Sequence, residues 1–164
     1  MSSYLSSDIR LFDLLDLCSN SRADEIEQYE ALIGPWDADV AANGFWMTPG
    51  PRFGLYDSEG YAVVIGGWMP VIEGVYQSWM VGREGGWDDH WRSITKACRK
   101  VMDFMFDVHG ARRLQTSALE SRERACEWYH RGLRMNYEGC SVGFGRGGEN
   151  MVNYALAKEI RNGK

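Results

Sequence analysis

No stretch of this sequence is apolar enough for long enough to cross a bilayer. The longest, Ala62 to Val71, is about half of the ~20 residues a spanning helix needs. Basic charge is also scarce. Lys and Arg number 18 against 23 Asp and Glu, a net charge of −5. That balance argues against a nucleic-acid or membrane-surface binder. The opening "MSSYLSSDIR" lacks the basic segment and apolar core of a secretory signal. Four cysteines (Cys18, Cys98, Cys126, Cys140) form no C-x-x-C pair, and three histidines (His90, His109, His130) have no ligand spacing. A zinc site is therefore not expected, and reduced, mostly buried thiols are. These absences describe a soluble, intracellular protein.

What is present is globular: 45% apolar residues, 25% charged residues and seven tryptophans in 164 residues. That suits a single domain over residues 1–164 with one sizeable core. A short strand is expected at Asp8 to Phe12, then a helix with Leu11, Leu14, Leu15 and Cys18 at helical spacing. Ser21 is placed to cap a second helix that Gly34 and Pro35 stop. Residues 34–52 carry three prolines and read as a loop with Trp36, Phe45 and Trp46 as anchors.

"RFGLYD", "SEG" and "YAVVIGGWM" read as a hairpin, and "VYQSWMV" as a third strand. The next helix, "DDHWRSITKACRKVMDFMFDVHG", repeats apolar residues at Trp91, Ile94, Cys98, Val101, Met105 and Val108. Asp88 is placed as its N-cap and Gly110 just past its end. "ARRLQTSAL" is a strand, "SRERACEWYHR" a short helix capped by Ser121, and "LRMNYEGCSVGF" and "ENMVNYALAKEI" two strands around the loop "GRGG". The expected class is α/β, a mixed sheet, with the long helix as a crossover between parallel neighbours. "GFGRGG" (Gly143 to Gly148) satisfies G-x-G-x-x-G, but a strand follows it where a dinucleotide site needs a helix. It reads as a hairpin loop. His90 and His109 take surface or capping roles, and Arg112, Arg113, Arg122, Arg124, Arg131 and Arg134 form a solvated face.

The element order, with "RERACEWYHRGLRMNYEG" (Arg122 to Gly139), resembles the GNAT superfamily of N-acyltransferases. Ala125, Trp128, Tyr129, Arg131 and Gly132 align with the family pattern N-x-x-A-x-x-[FLW]-Y-x-[KR]-L-G-F. Arg122 replaces the asparagine, one residue is missing before Gly132, and Leu133 replaces the phenylalanine. The resemblance implies acetyl-CoA as the acyl donor and Tyr129 as the acid that protonates the leaving thiolate. It also implies a carboxylate base near the third strand, for which Glu73 is the nearest acid; Glu138 and Asp57 have no better support. Coenzyme A would lie where "VYQSWMV" and "ARRLQTSAL" splay. Met80 and Val81 would pair with its pantetheine arm, and Arg83, Gly85, Gly86 and Trp87 would face its pyrophosphate.

The pyrophosphate motif [QR]-x-x-G-x-[GA] is matched by Arg83 and Gly86, then broken by Asp88 in the last small-residue position. Asp89 adds a second carboxylate. Acidic residues suit a helix N-terminus, but like charge disfavours a bound pyrophosphate. The motif is degenerate, which brings cofactor binding into question. The "AVVIGG" and "YQSWMV" strands, the degenerate turn and the "ACEWY" helix also resemble small GNAT-fold proteins of short-tailed bacteriophages. That likeness implies a cytoplasmic or virion location. Two functions stay open: an N-acyltransferase acting on a small-amine or protein-amine acceptor, or a non-catalytic phage virion or host-interaction protein. In the second, Trp36, Trp46, Trp68 and Trp87, placed in loops, would anchor a partner.

Overall fold

A computed structural model describes residues 3–163. The chain runs β1 (Ser3–Ser6), α1 (Leu11–Ser19), α2 (Ala23–Leu32), α3 (Ala38–Met47), β2 (Arg52–Asp57), β3 (Ala62–Ile72) and β4 (Val75–Gly82). It continues through α4 (Gly86–Asp107), β5 (Arg113–Leu119), α5 (Glu123–Glu127), a π-helical turn (Trp128–Gly132), β6 (Asn136–Ser141), β7 (Met151–Ala157) and α6 (Lys158–Arg161). Seven strands form a mixed sheet in the order β1-β2-β3-β4-β5-β7-β6.

The expected α/β class and crossover are both present. β2, β3 and β4 are antiparallel neighbours, and α4 carries the chain to β5, which pairs with β4 in parallel. That parallel pairing is short. It joins Val75 to Arg113, Tyr76 to Leu114 and Gln77 to Gln115, and no described residue beyond continues it. The strands then part, which leaves backbone groups without a strand partner, and buried N–H and C=O groups need one. α2 acts as a wedge that supplies partners. Glu25 accepts from the Gly82 N–H at 2.5 Å, and the Arg22 N–H donates to the Gly82 carbonyl at 3.2 Å. On β5, Gln28 donates to the Ser117 carbonyl at 3.4 Å and accepts from the Leu119 N–H at 3.2 Å.

One sheet face packs under α4 around Trp68, Met105, Phe106, Leu114 and Met135; the other packs under α1 and α3 around Leu14, Leu17, Ala41, Ala42 and Ile65. Ile94 of α4 is fully buried against Leu55, Val63 and Val64. Ile94→Val is expected to cost about 1 kcal/mol, read as a shifted denaturant midpoint with an unchanged slope.

Several expectations are corrected. Residues 8–12 are not a strand. β1 lies earlier and pairs with β2 from Ser3↔Asp57 to Ser6↔Gly54. α1 starts at Leu11 instead, its first turn held by Asp13, whose carboxylate accepts from the N-cap Arg10 N–H at 3.0 Å and from the Tyr56 hydroxyl at 3.1 Å. The 34–52 loop contains α3. Its prolines, Pro35, Pro49 and Pro51, all lie outside the helix, and Asp37 caps it by accepting from the Val40 N–H at 2.9 Å.

Ser21 does not cap α2; its hydroxyl donates to the Leu17 carbonyl at 3.2 Å and Arg22 is the N-cap. Ser121 likewise precedes an Arg122 N-cap. α4 begins before Asp88, because Gly85 takes φ +73° as its N-cap and only glycine adopts that region freely. The α4 face is rotated as well. Trp91 and Val108 are exposed, whereas His90, Met102 and Phe106 are buried with Ile94, Val101 and Met105. Of the four tryptophans assigned to loops, Trp46 lies in α3, Trp68 in β3 and Trp87 in α4. All four cysteines are free, with Cys18 buried and the others partly so. No described helix is long and apolar enough to cross a membrane.

Candidate active site

Where β4 and β5 part, a cavity of about 120 Å³ opens. Glu25, Gln28 and Arg122 form its wall on the α2 side. Ser78, Thr116 and Tyr129 line the gap itself, and the space continues beneath α4 past Cys98 and Val101. The Ser78 hydroxyl donates to Thr116 at 2.6 Å, bridging the two strands just past their last paired residues.

Tyr129 sits in the π-helical turn, where the family pattern is one residue short. Its ring lies against Trp128 and Tyr154, with centroids 5.3 and 5.8 Å away. Burial raises its phenol above the usual value of 10, against the opposing pull of the Arg122 charge and a hydrogen bond with Thr116. The group is thus protonated at neutral pH and able to donate.

Glu25 is the residue that the sequence reading passed over. It is buried in the first turn of α2. Burial pushes its carboxyl up to about 7, although the Gly82 N–H and the charges of Arg22 and Arg122 favour ionisation. Burial prevails because both arginines are shared: Arg22 also pairs with Asp24 at 3.1 Å, and Arg122 with Asp24 at 2.9 Å. A carboxyl that titrates near neutrality is what a general base needs.

The residues expected in the site divide. Met80 lines the cavity together with Tyr129. Val81 is buried on the opposite sheet face, in the cluster around α1. Gly85, Gly86 and Trp87 open α4, and Trp87 meets Trp128 edge-on at 4.7 Å. Arg83 turns toward α1, where it pairs with Asp16 and donates to the Ala62 carbonyl at 3.1 Å. Glu73 is exposed in the β3–β4 turn, where its carbonyl accepts from Arg112 at 2.7 Å. It does not line the cavity.

A smaller pocket at the start of α4 adjoins the cavity, sharing Glu25, Met80, Arg122, Trp128 and Tyr129 with it. It adds Arg22, Arg124 and Trp87, and the Arg22 guanidinium lies 5.1 Å from the Trp87 ring centroid. The Gly86 N–H is used by the Arg83 carbonyl at 3.1 Å. The next N–H groups, of Trp87 and Asp88, are among those a helix start leaves without an intrahelical partner. Arg124 meets Asp88 at 3.1 Å, both side chains exposed. Cationic side chains thus gather at the mouth of the cavity, although Arg83 is spent elsewhere. An extended ligand with an anionic end fits this donor set. The Gly143–Gly148 loop does not line the cavity; it is tied to the end of α2, with the Arg146 N–H donating to the Ala31 carbonyl at 2.8 Å.

No family model matches the chain, and no curated protein does either. Solved structures do. A GNAT-family acetyltransferase from Bacillus anthracis superposes with a TM-score of 0.75 at 13% identity, covering 97% of this chain and 96% of that one. The fold is that of the GNAT acetyltransferases. A variant of the spermidine N-acetyltransferase of Vibrio cholerae gives 0.73 at 10% identity, covering 99% and 98%. A further putative acetyltransferase gives 0.78 at 15% identity, covering 98% of this chain and 86% of that one. β4, α4 and β5 line the cavity together with α2, β2, β3 and the π-helical turn.

Proposed function

We propose that the chain is an N-acyltransferase that moves an acyl group from coenzyme A to an amine. The observation that carries this is the gap between β4 and β5, lined by both Glu25 and Tyr129. Bound acetyl-CoA would supply the electrophilic thioester carbonyl. Met80 flanks the gap for the pantetheine arm. Arg22, Arg124 and the first N–H groups of α4 would hold the phosphates. Glu25, in place of the exposed Glu73, takes a proton from the acceptor ammonium, and the freed amine attacks directly. As the C–S bond breaks, Tyr129 would give its proton to the departing sulfur and recover one from the surplus N–H of the new amide. A small cationic amine is the favoured acceptor, given the net charge of −5 and the spermidine acetylation named for one neighbour; a protein amine is the alternative.

Two assays test this together. Calorimetry with acetyl-CoA reads binding, and thiol release in the presence of spermidine reads transfer. No heat at millimolar ligand and no thiol release would remove the enzyme reading. Asp88→Gly removes one carboxylate from the start of α4 and frees Arg124. It is expected to tighten coenzyme A binding by about two- to five-fold, and equal affinity would show that Asp88 does not oppose the phosphates.

The second reading is a non-catalytic phage virion or host-interaction protein, found in the host cytoplasm or the particle. It draws on the two acids in the first turn of α4 and on the commitment of Arg83 to Asp16. Absence of the chain from purified particles, by mass spectrometry, counts against the virion form.

A further inference from the structure

We infer that the acyl group this site is built for is longer than acetyl, an unbranched chain of roughly four to six carbons lodged beneath α4 in a cavity of the size that holds one small hydrocarbon. This rests on the acyltransferase reading above. Alternation along β3 points Val64, Gly66 and Trp68 to the same sheet face, and that face lies under α4. Val64 and Trp68 are buried. Gly66 between them has no side chain, and it lines the cavity with both. A Cβ at Gly66 would stand 2.8 Å from the Trp79 carbonyl oxygen and 3.3 Å from Met80 Cβ, so β3 and β4 approach too closely there for any side chain and the cavity wall between Val64 and Trp68 is bare backbone.

The chemistry of the lining changes along the cavity. At the gap stand Ser78, Thr116, Tyr129 and Glu25; beneath α4 stand Phe53, Leu55, Val101 and Met102. Among the described residues, no buried side-chain nitrogen or oxygen lacks a hydrogen-bond partner. The four side chains at the deep end carry no nitrogen or oxygen to hold an ordered water, and apolar cavities take apolar guests. An apolar cavity of about 150 Å³ accommodates benzene, and the whole of this one, its polar end included, is about 120 Å³. A two-carbon acetyl group fills only the gap end. A longer tail places its carbonyl at the polar end and its methylenes beneath α4.

The test is a calorimetric series with acetyl-, butanoyl-, hexanoyl- and decanoyl-CoA on the intact protein, with thiol release as a second readout. Affinity is expected to rise about tenfold or more from acetyl to hexanoyl and to fall again at decanoyl. Val101→Phe fills the deep end and should bring the hexanoyl-to-acetyl ratio to about one; Cys98→Met is a milder filling variant, with circular dichroism checking that each folds. Equal affinity across the wild-type series overturns the chain-length inference and leaves the acyltransferase reading intact. No binding of any member removes both. A hexanoyl preference that survives both filling variants places the chain elsewhere and overturns the site assigned here.

Discussion

Glu25→Gln is expected to lower kcat/KM for an amine acceptor by about 10²- to 10³-fold while making the protein more stable at alkaline pH. The two effects share one cause. The groups facing Glu25 are the Gly82 N–H, Arg22, Arg122, Asp24, Cys18 and Tyr129, and burial outweighs the cations among them. The folded carboxyl titrates at about 7, against 4.5 when unperturbed. A raised value means that the folded state holds the proton more tightly than the unfolded state. The stability this contributes is fully present below about 4.5 and is lost as pH rises through about 7. At pH 8.5 the wild type must keep a buried carboxylate charged, at a cost of up to roughly 3 kcal/mol.

Glutamine stays neutral, and its carbonyl can still accept from the Gly82 N–H. The variant should melt higher than wild type at pH 8.5 and about equally at pH 4. In the wild type, kcat/KM should rise with pH through about 7 as the base is freed; in Glu25→Gln that limb should vanish. Unchanged kcat/KM, or a lower melting temperature at pH 8.5, would falsify the role given to Glu25.

This carboxylate was hard to see in the sequence because α2 inverts the usual pattern. Its buried stripe is Glu25, Gln28 and Ala31, of which Glu25 and Ala31 are buried and Gln28 partly so. Larger apolar residues, Ile26 and Tyr29 in the helix and Ile33 at its C-cap, stand outside this stripe, and two of the stripe's residues are polar because they serve backbone groups of parted strands. An acid in a first helical turn also has an ordinary explanation in the helix dipole. A better signal was the pair Glu25 and Gln28, one turn apart, on a helix placed before a sheet expected to splay.

The strands and the crossover were legible for the opposite reason. β2 to β5 alternate cleanly or run as apolar blocks between glycine turns, and a long helix between two strands of one sheet enforces parallel pairing. The prolines on both flanks of α3, none of them inside it, mask the helix in the sequence. α4 was found, but its face was misaligned because Trp91 and Val108 fit the spacing while standing exposed at the ends. At the start of α4 the sequence showed Arg83 near the glycines. Only the fold shows that Asp16 holds it on the other side of the sheet.

Tyr129→Phe is expected to lower kcat by about 10²-fold with little change in KM. The substitution keeps the ring against Trp128 and Tyr154 and removes only the hydroxyl. Thr116 retains its hydrogen bond from Ser78, so the stability cost is about 1 kcal/mol and the folded state is preserved. Leaving-group dependence separates a chemical role from a packing one. A phenol that protonates the sulfur matters most when the departing thiolate is basic. Acyl donors with more acidic thiols need less protonation, so the gap between wild type and Tyr129→Phe should narrow as the thiol becomes more acidic. A ring that only packs would lower the rate with every donor by the same factor, or not at all. A constant ratio across the donor series would therefore leave Tyr129 as a packing residue and require another donor for the proton. Within the gap, the hydroxyls of Ser78 and Thr116 would be the next candidates, since both line the same cavity.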